Sequence, residues 1–287
     1  MKFAYFPGCS AESTARDMHA STVAVAKTLG IDLVEPEGWS CCGATAAHQT
    51  DPVLSVSLPA ANLVLAQQMQ MDMVASCAAC FNRLKMANHK IQSDRTLCKQ
   101  VAEAVGRDYD GQVKVRHILE VLYEEVGLDA IKAAVKRSLN GLKVACYYGC
   151  LMVRPQEVMK FDDPENPTSL DRLVEVMGGE PLDWPHKVEC CGGGLAMSRT
   201  DVVLKLTDSI LKMAQDVGAD CITVSCPMCQ VNLDLRQKDI KKQMGHDYGM
   251  PIIYITQLLG LSLGLAPNDL GLNKLIVTPN NVIEAVI

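Results

Sequence analysis

Aromatic side chains are scarce in this chain: two Trp, four Phe and seven Tyr make up 5% of its 287 residues. Its cores must therefore be filled by Val, Ile, Leu, Met and Ala. Basic charge is also short. Lys and Arg number 27 against 33 Asp and Glu, a net charge of −6, so no positive field exists to hold nucleic acid or another polyanionic surface. Long apolar runs are missing too. The most apolar stretch, Ile252 to Ala266, spans 15 residues and includes Thr256, Gln257 and Ser262, too short and too polar for a membrane span. The opening MKFAYFPGCS lacks the apolar stretch of a secretory leader, and a cytoplasmic location is expected. Cofactor fingerprints are absent as well: Gly192–Gly193–Gly194 has no G-K-[ST] beside it, and no flavin or nicotinamide motif occurs.

What the chain has is cysteine, 13 in all. In a large chain without a secretion signal, dense cysteine points to metal or redox chemistry rather than to disulfides. The stretch CCGGGLAMSR begins at Cys190, and an earlier CCGATAA runs from Cys41 to Ala47. After each pair and an equal gap of 34 residues comes C-x-x-C: Cys77 and Cys80, then Cys226 and Cys229. These four positions of the second copy each lie 149 residues after their counterparts. A further cysteine precedes each pair, Cys9 in YFPGC and Cys150 in YYGC, at an offset of 141, so the second copy carries eight extra residues. Ser76 and Ser225 precede the C-x-x-C motifs, Gly8 and Gly149 the leading cysteines, and Gly43 and Gly192 follow the pairs. Such agreement marks an internal duplication, with domains expected at 1–140 and 141–287.

Strands are expected at Lys2–Phe6, 31–34, Met73–Ala75 and 113–116, and again at 142–146, 222–224 and from Ile252. Helices are expected between them: one after Asp51–Pro52 and kinked or split at Pro59, one starting inside the first C-x-x-C, one linking the halves over 130–140, and one capped by Thr200 with Gly218 at its end. The insertion belongs in DDPENPT, Asp162 to Thr168. The tail from Asn268 is left for packing on another subunit. Alternating strands and helices give an α/β fold: two pseudo-two-fold-related repeats with mainly parallel sheets. Ligands of such sheets sit beyond the strand carboxyl ends, so the cysteines should converge there, near the interface of the repeats.

A C-x-x-C at a helix start places two sulfurs together where the helix N-terminus favours thiolate, the metal-binding form. Adjacent cysteines reach neighbouring metal atoms or bridge two of them. Gly43, Gly192, Gly193 and Gly194 allow backbone to approach a cluster and offer it N–H groups. Structural zinc and cubane iron–sulfur clusters each take four ligands, whereas each set here has five. Either one cysteine per set is spare or the cluster is not a cubane, and zinc at one site is the alternative. Cys98 and Cys221 read as buried hydrophobes, and Cys146 competes with Cys150 for the leading position. His48, Arg83, Arg154 and Arg199 lie close to cysteine motifs and are candidates for holding a substrate anion.

The pattern C-x31-C-C-G-x33-C-x-x-C, repeated as C-x39-C-C-G-x33-C-x-x-C, resembles the CCG-domain family over nearly all of residues 1–260, and within it the B subunits of heterodisulfide reductases. The resemblance implies two noncubane [4Fe–4S] clusters, one on Cys9, Cys41, Cys42, Cys77 and Cys80, the other on Cys150, Cys190, Cys191, Cys226 and Cys229. It implies two-electron reduction of the mixed disulfide of coenzyme M and coenzyme B between the clusters. It also implies a ferredoxin-like C subunit and a flavin-containing iron–sulfur A subunit as partners. The competing reading is an electron-transfer subunit of a lactate, glycerol-3-phosphate or succinate oxidoreductase, without its own disulfide substrate.

Overall fold

The computed structural model describes residues 1–44 and 47–287. Two four-stranded sheets carry the fold. The first is ordered β2-β1-β3-β4, with β1 Lys2–Phe6, β2 Asp32–Val34, β3 Met73–Ala75 and β4 Val115–His117. The second is ordered β6-β5-β7-β8, with β5 Lys143–Tyr147, β6 Glu180–Pro181, β7 Cys221–Val224 and β8 Ile252–Tyr254. Every pairing is parallel, and the order repeats from one half to the other. Parallel strands covered by helices on both faces are buried on both faces. That is why β3 reads Met-Val-Ala and β7 Cys-Ile-Thr-Val without alternation, every residue buried.

The crossover helices follow from local signals. Asp51 accepts a hydrogen bond from Leu54 N and so caps the helix Pro52–Gln68. That helix runs unbroken through Pro59 rather than in two pieces. After β4, the sequence pattern suggests one helix over 118–125. Instead a short turn at Ile118–Glu120 continues as a π-helical segment, Val121–Gly127, and then as Leu128–Ala134. The linking helix stops at Ala134, short of Asn140. Lys136 N and Arg137 N donate to the Ser262 carbonyl, tying the connection to the second half. The helix Thr200–Asp216 begins at Thr200, but Arg199 is its cap residue and no side chain caps it.

Part of the tail packs on its own chain. Leu270, Leu272 and Val282 are fully buried. Buried Asp234 accepts the N–H groups of Ile276 and Val277, and Gln257 donates to the Leu270 carbonyl. The halves are joined by polar contacts inside the molecule: Ser21 Oγ lies 2.7 Å from Thr256 Oγ1, and Asn82 donates to the carbonyls of Leu151 and Arg154. No helix among the described residues is long and apolar enough to cross a membrane.

Candidate iron–sulfur and substrate site

Each cysteine set forms at the carboxyl edge of its sheet, because each member follows a strand or sits in the loop facing that edge. In the first half β1 ends at Phe6 and the chain turns at Gly8, φ +77, into Cys9. Cys77 ends the segment after β3 and stands at the N-cap of the helix Ala78–Ser93, which carries Cys80 in its first turn. The pair Cys41–Cys42 comes from the loop between β2 and the helix Pro52–Gln68. Cys41 Sγ lies 3.8 Å from Cys9 Sγ, and Cys42 Sγ 3.3 Å from Cys80 Sγ. The second half repeats this. Gly149, φ +67, delivers Cys150, Cys226 caps the helix Pro227–Leu235, and Cys191 Sγ is 3.4 Å from Cys229 Sγ. Thr45 and Ala46 of the CCGATAA stretch lie outside the described residues.

The glycines keep backbone close to sulfur. A Cβ on Gly8 would stand 3.0 Å from Cys80 Sγ, and one on Gly149 would stand 3.1 Å from Cys229 Sγ. Gly43 N and Gly192 N donate to Cys41 Sγ and Cys190 Sγ at 3.4 and 3.3 Å. Gly193 packs its backbone near Cys191 Sγ and Met228, whereas a Cβ on Gly194 would meet nothing within 4 Å. Gly149→Ala is therefore expected to lose most of the iron of the second half, since the methyl crowds a ligand and positive φ costs an L residue roughly 1–2 kcal/mol. Gly194→Ala should keep wild-type iron content. Iron analysis of both variants, purified anaerobically, checks this; equal retention would place Gly149 outside the site.

The sulfurs polarise one another. Hydrogen bonds from Cys41 and Cys80 pull the Cys42 thiol down to about 4. Cys150 and the Gly192 N–H pull Cys190 down to about 6. Cys226 is lowered by Cys229 and by Cys77 across the halves. The partners on the donating side, Cys41 and Cys150, are pushed up by the same contacts. Thiolate is the ligand form, so each set already holds sulfurs biased toward binding. Among the described residues, no three His, Cys, Asp or Glu side chains are disposed to hold one metal ion. The fit to a cluster lies in the donor set: five thiols per half, a backbone N–H donated to a thiol in each half, and a glycine cradle that a Cβ would fill.

A cavity of about 200 Å³ lies where the halves meet. One wall holds all five cysteines of the second set, together with Leu151 and Met228; the other holds Ala78, Ala79, His48 and Arg83 of the first half. The first set does not line it. Cys42, Cys77 and Cys80 are buried, while Cys9 and Cys41 are exposed. Two larger clefts, of about 590 and 570 Å³, contain no member of either set.

Of the four candidate anion-holding residues, the structure brings His48 and Arg83 to this cavity and leaves two outside. Arg154 pairs with Glu165 at 2.9 Å, and Arg199 with Asp201 at 2.9 Å on the surface. Burial and the Arg83 charge hold the His48 imidazole below its usual range. Cys146 is wholly buried inside β5, where burial pushes its thiol up, and Cys221 is buried in β7. Cys98 is half-buried rather than buried, and its thiol points to the Tyr109 carbonyl.

Sequence reasoning missed the residues that hold the loops. Asn232 donates to the Cys191 carbonyl at 3.0 Å and lies 3.8 Å from its Sγ. Tyr147 OH donates to Glu189 O at 2.6 Å. The buried His117 ring meets the Ser76 carbonyl at 3.0 Å, just before Cys77. Asn232 could have been found from the repeat, since it follows Cys229 by the same three positions as Arg83 follows Cys80.

The cysteine-rich CCG domain profile matches residues 3–85 and 144–234. The 8-methylmenaquinol:fumarate reductase membrane anchor subunit of Wolinella succinogenes is 35% identical, over 99% of this chain and 98% of its own length. The B subunit of the ferredoxin/F420H2-dependent CoB–CoM heterodisulfide reductase of Methanosarcina acetivorans is 31% identical, over 95% and 93%. A protein of Archaeoglobus profundus that is like the heterodisulfide reductase B subunit is 30% identical, over 99% and 97%. Among solved structures, a hypothetical protein from Helicobacter pylori matches 96% of this chain with a TM-score of 0.77 at 11% identity, a likeness of fold alone. This chain spans about half of that one, 52%.

Proposed function

Because the chain belongs to the cysteine-rich CCG family and resembles its heterodisulfide reductase B subunits over nearly its whole length, we propose that it is the disulfide-reducing subunit of such a complex. The observation that carries this reading is the cavity between the halves, walled by all five cysteines of the second set. Cys9, Cys41, Cys42, Cys77 and Cys80 would hold one [4Fe–4S] cluster. Cys150, Cys190, Cys191, Cys226 and Cys229 would hold another, each in the noncubane form that five thiolates allow. The two holding units would be 1–140 and 141–287.

When bound, each cluster supplies one electron. A disulfide takes two electrons and two protons to become two thiols, so two one-electron sites match its need. The chain's own residues do the rest. Arg83 meets an anionic end of the substrate, and His48 lines the wall beside it. Leu151, Ala78, Ala79 and Met228 make much of the remaining surface apolar, which favours a sulfur–sulfur bond over water there. Electrons would come from a ferredoxin-like C subunit and a flavin-bearing A subunit, in the cytoplasm.

A second reading is favoured by one observation. The fumarate reductase relative is as long as this chain and 35% identical to it. On that reading the chain passes electrons to or from a quinol or dicarboxylate oxidoreductase and has no disulfide of its own.

The anaerobically purified protein should carry about eight irons per chain, two four-iron clusters. With a low-potential artificial donor it should release thiol from the coenzyme M–coenzyme B disulfide or from another biological disulfide. Iron with no thiol release from any of them, while electrons still reach a partner oxidoreductase, would establish the electron-transfer reading. Zinc in place of iron at either set would overturn both.

A further inference from the structure

Reducing a disulfide takes protons as well as electrons, and the cavity between the halves has few groups that can give one. Among the described residues that line it there is no carboxylate and no lysine. Its five cysteines would bind metal as thiolates and so have no proton to give. Arg83 keeps its proton at any working pH. Tyr148 is engaged elsewhere: its OH donates to Asp171 Oδ2 at 2.6 Å and accepts Leu170 N at 2.8 Å, and burial pushes its ionisation far up. His48 is left. It is half-buried on the first-half wall, and its Nδ1 meets no partner among the described residues, so the fold does not tie up that end of the ring. Burial and the Arg83 charge oppose its protonation, and the Gly43 carbonyl favours it. The duplication supplies no second acid. The position 149 residues on is Met197, which is 97% exposed and lies outside the cavity wall.

We propose that His48 is the proton donor of the cavity and that it protonates one of the two thiolates released there. The inference rests on the reading that the cavity reduces a disulfide. One disulfide, two electrons and two protons give two thiols. The electrons break the sulfur–sulfur bond. The sulfur on the His48 side takes the imidazolium proton, and the other takes its proton from water as it leaves. The neutral imidazole is recharged from solvent, which reaches the wall at the exposed neighbour Gln49. A donor held below its usual range gives its proton up readily, but a smaller fraction of the molecules hold one at neutral pH. The reaction should therefore quicken as pH falls toward the His48 range, and slow by about tenfold for each unit above it.

The test uses the iron-loaded chain under anaerobic conditions, with a low-potential artificial donor and the coenzyme M–coenzyme B disulfide or whichever biological disulfide it reduces. Wild-type kcat should show the falling alkaline limb. His48→Gln should lose roughly a hundredfold at the wild-type optimum and lose the limb as well, with iron content and spectra unchanged. Arg83→Gln should move the limb to higher pH, because the cation that opposes the proton is gone; a histidine with a merely structural role would give no such shift. A second readout needs no turnover. In the oxidised protein without donor, diethyl pyrocarbonate should modify His48 more slowly when the disulfide is present, as located by peptide mass spectrometry. If the wild type releases thiol, then a limb that survives in His48→Gln, an unmoved limb in Arg83→Gln, or modification indifferent to the disulfide would each overturn the proposal and leave the disulfide reading standing. No thiol release from any disulfide would overturn that reading itself.

Discussion

Cys191→Ala is expected to remove the second cluster and to halve the iron of the chain, from about eight atoms to about four. Cys191 is buried, and its sulfur lies 3.4 Å from Cys229 Sγ with the Asn232 amide close by. It is therefore central to its set. A five-thiol centre that loses one buried ligand keeps four, of which Cys190 is exposed and Cys150 half-buried, and these two must then hold their metal against solvent. Cys146→Ala is the control. Its sulfur is equally buried, but it lies within β5, paired in register with Thr223, and removing it should leave iron content and both spectra as they were. Iron analysis with Mössbauer or paramagnetic resonance spectra of the two variants decides the matter. An unchanged second spectrum in Cys191→Ala would mean a four-cysteine centre with a spare thiol.

The cysteine sets were legible in the sequence because their geometry is set locally. A thiol that follows a strand must emerge at the carboxyl edge of the sheet, and β1, β3, β5 and β7 all obey this. The duplicated spacing showed that the halves match, and the identical strand orders bear that out. What could not be read off depends on contacts distant in sequence. Arg199 follows the second pair as closely as a substrate residue would, yet Asp201, two residues on, captures it at the surface. Arg83 has no such neighbour, so its charge stays at the cavity. The helix past Pro59 survives because Pro59 and its neighbours Ala60, Leu63 and Val64 are buried; packing outweighs the lost backbone bond there. The tail looked unattached because its anchor, Asp234, is some 40 residues upstream, in a helix whose other face bears Cys229.

Asp171→Ala is expected to cost about 3–5 kcal/mol of stability and, with it, the ordering of the second cysteine set. The reason is Lys187. This lysine is 5% exposed, and its ammonium is satisfied by Asp171 Oδ1 at 2.9 Å and the Pro167 carbonyl at 3.2 Å. The other oxygen of Asp171 accepts Tyr148 OH at 2.6 Å, and that hydroxyl in turn accepts Leu170 N. Losing the carboxylate leaves a buried cation and a buried hydroxyl without their partner. The damage reaches the site through the backbone, because the Lys187 carbonyl accepts the N–H groups of Tyr148 and Gly149 just before Cys150. Three residues after Lys187 comes Cys190, so one lysine fixes both loops that bring Cys150 and Cys190 to the second set. The double variant Asp171→Leu with Lys187→Met removes both charges and should recover most of the loss, since a buried pair exchanged for apolar side chains of similar size is often close to neutral. Denaturant midpoints under anaerobic conditions, read beside iron content, test the pair of results. A loss under about 1 kcal/mol in Asp171→Ala would place Lys187 in contact with water, as in an exposed ion pair, and would end its role as the brace of the second site.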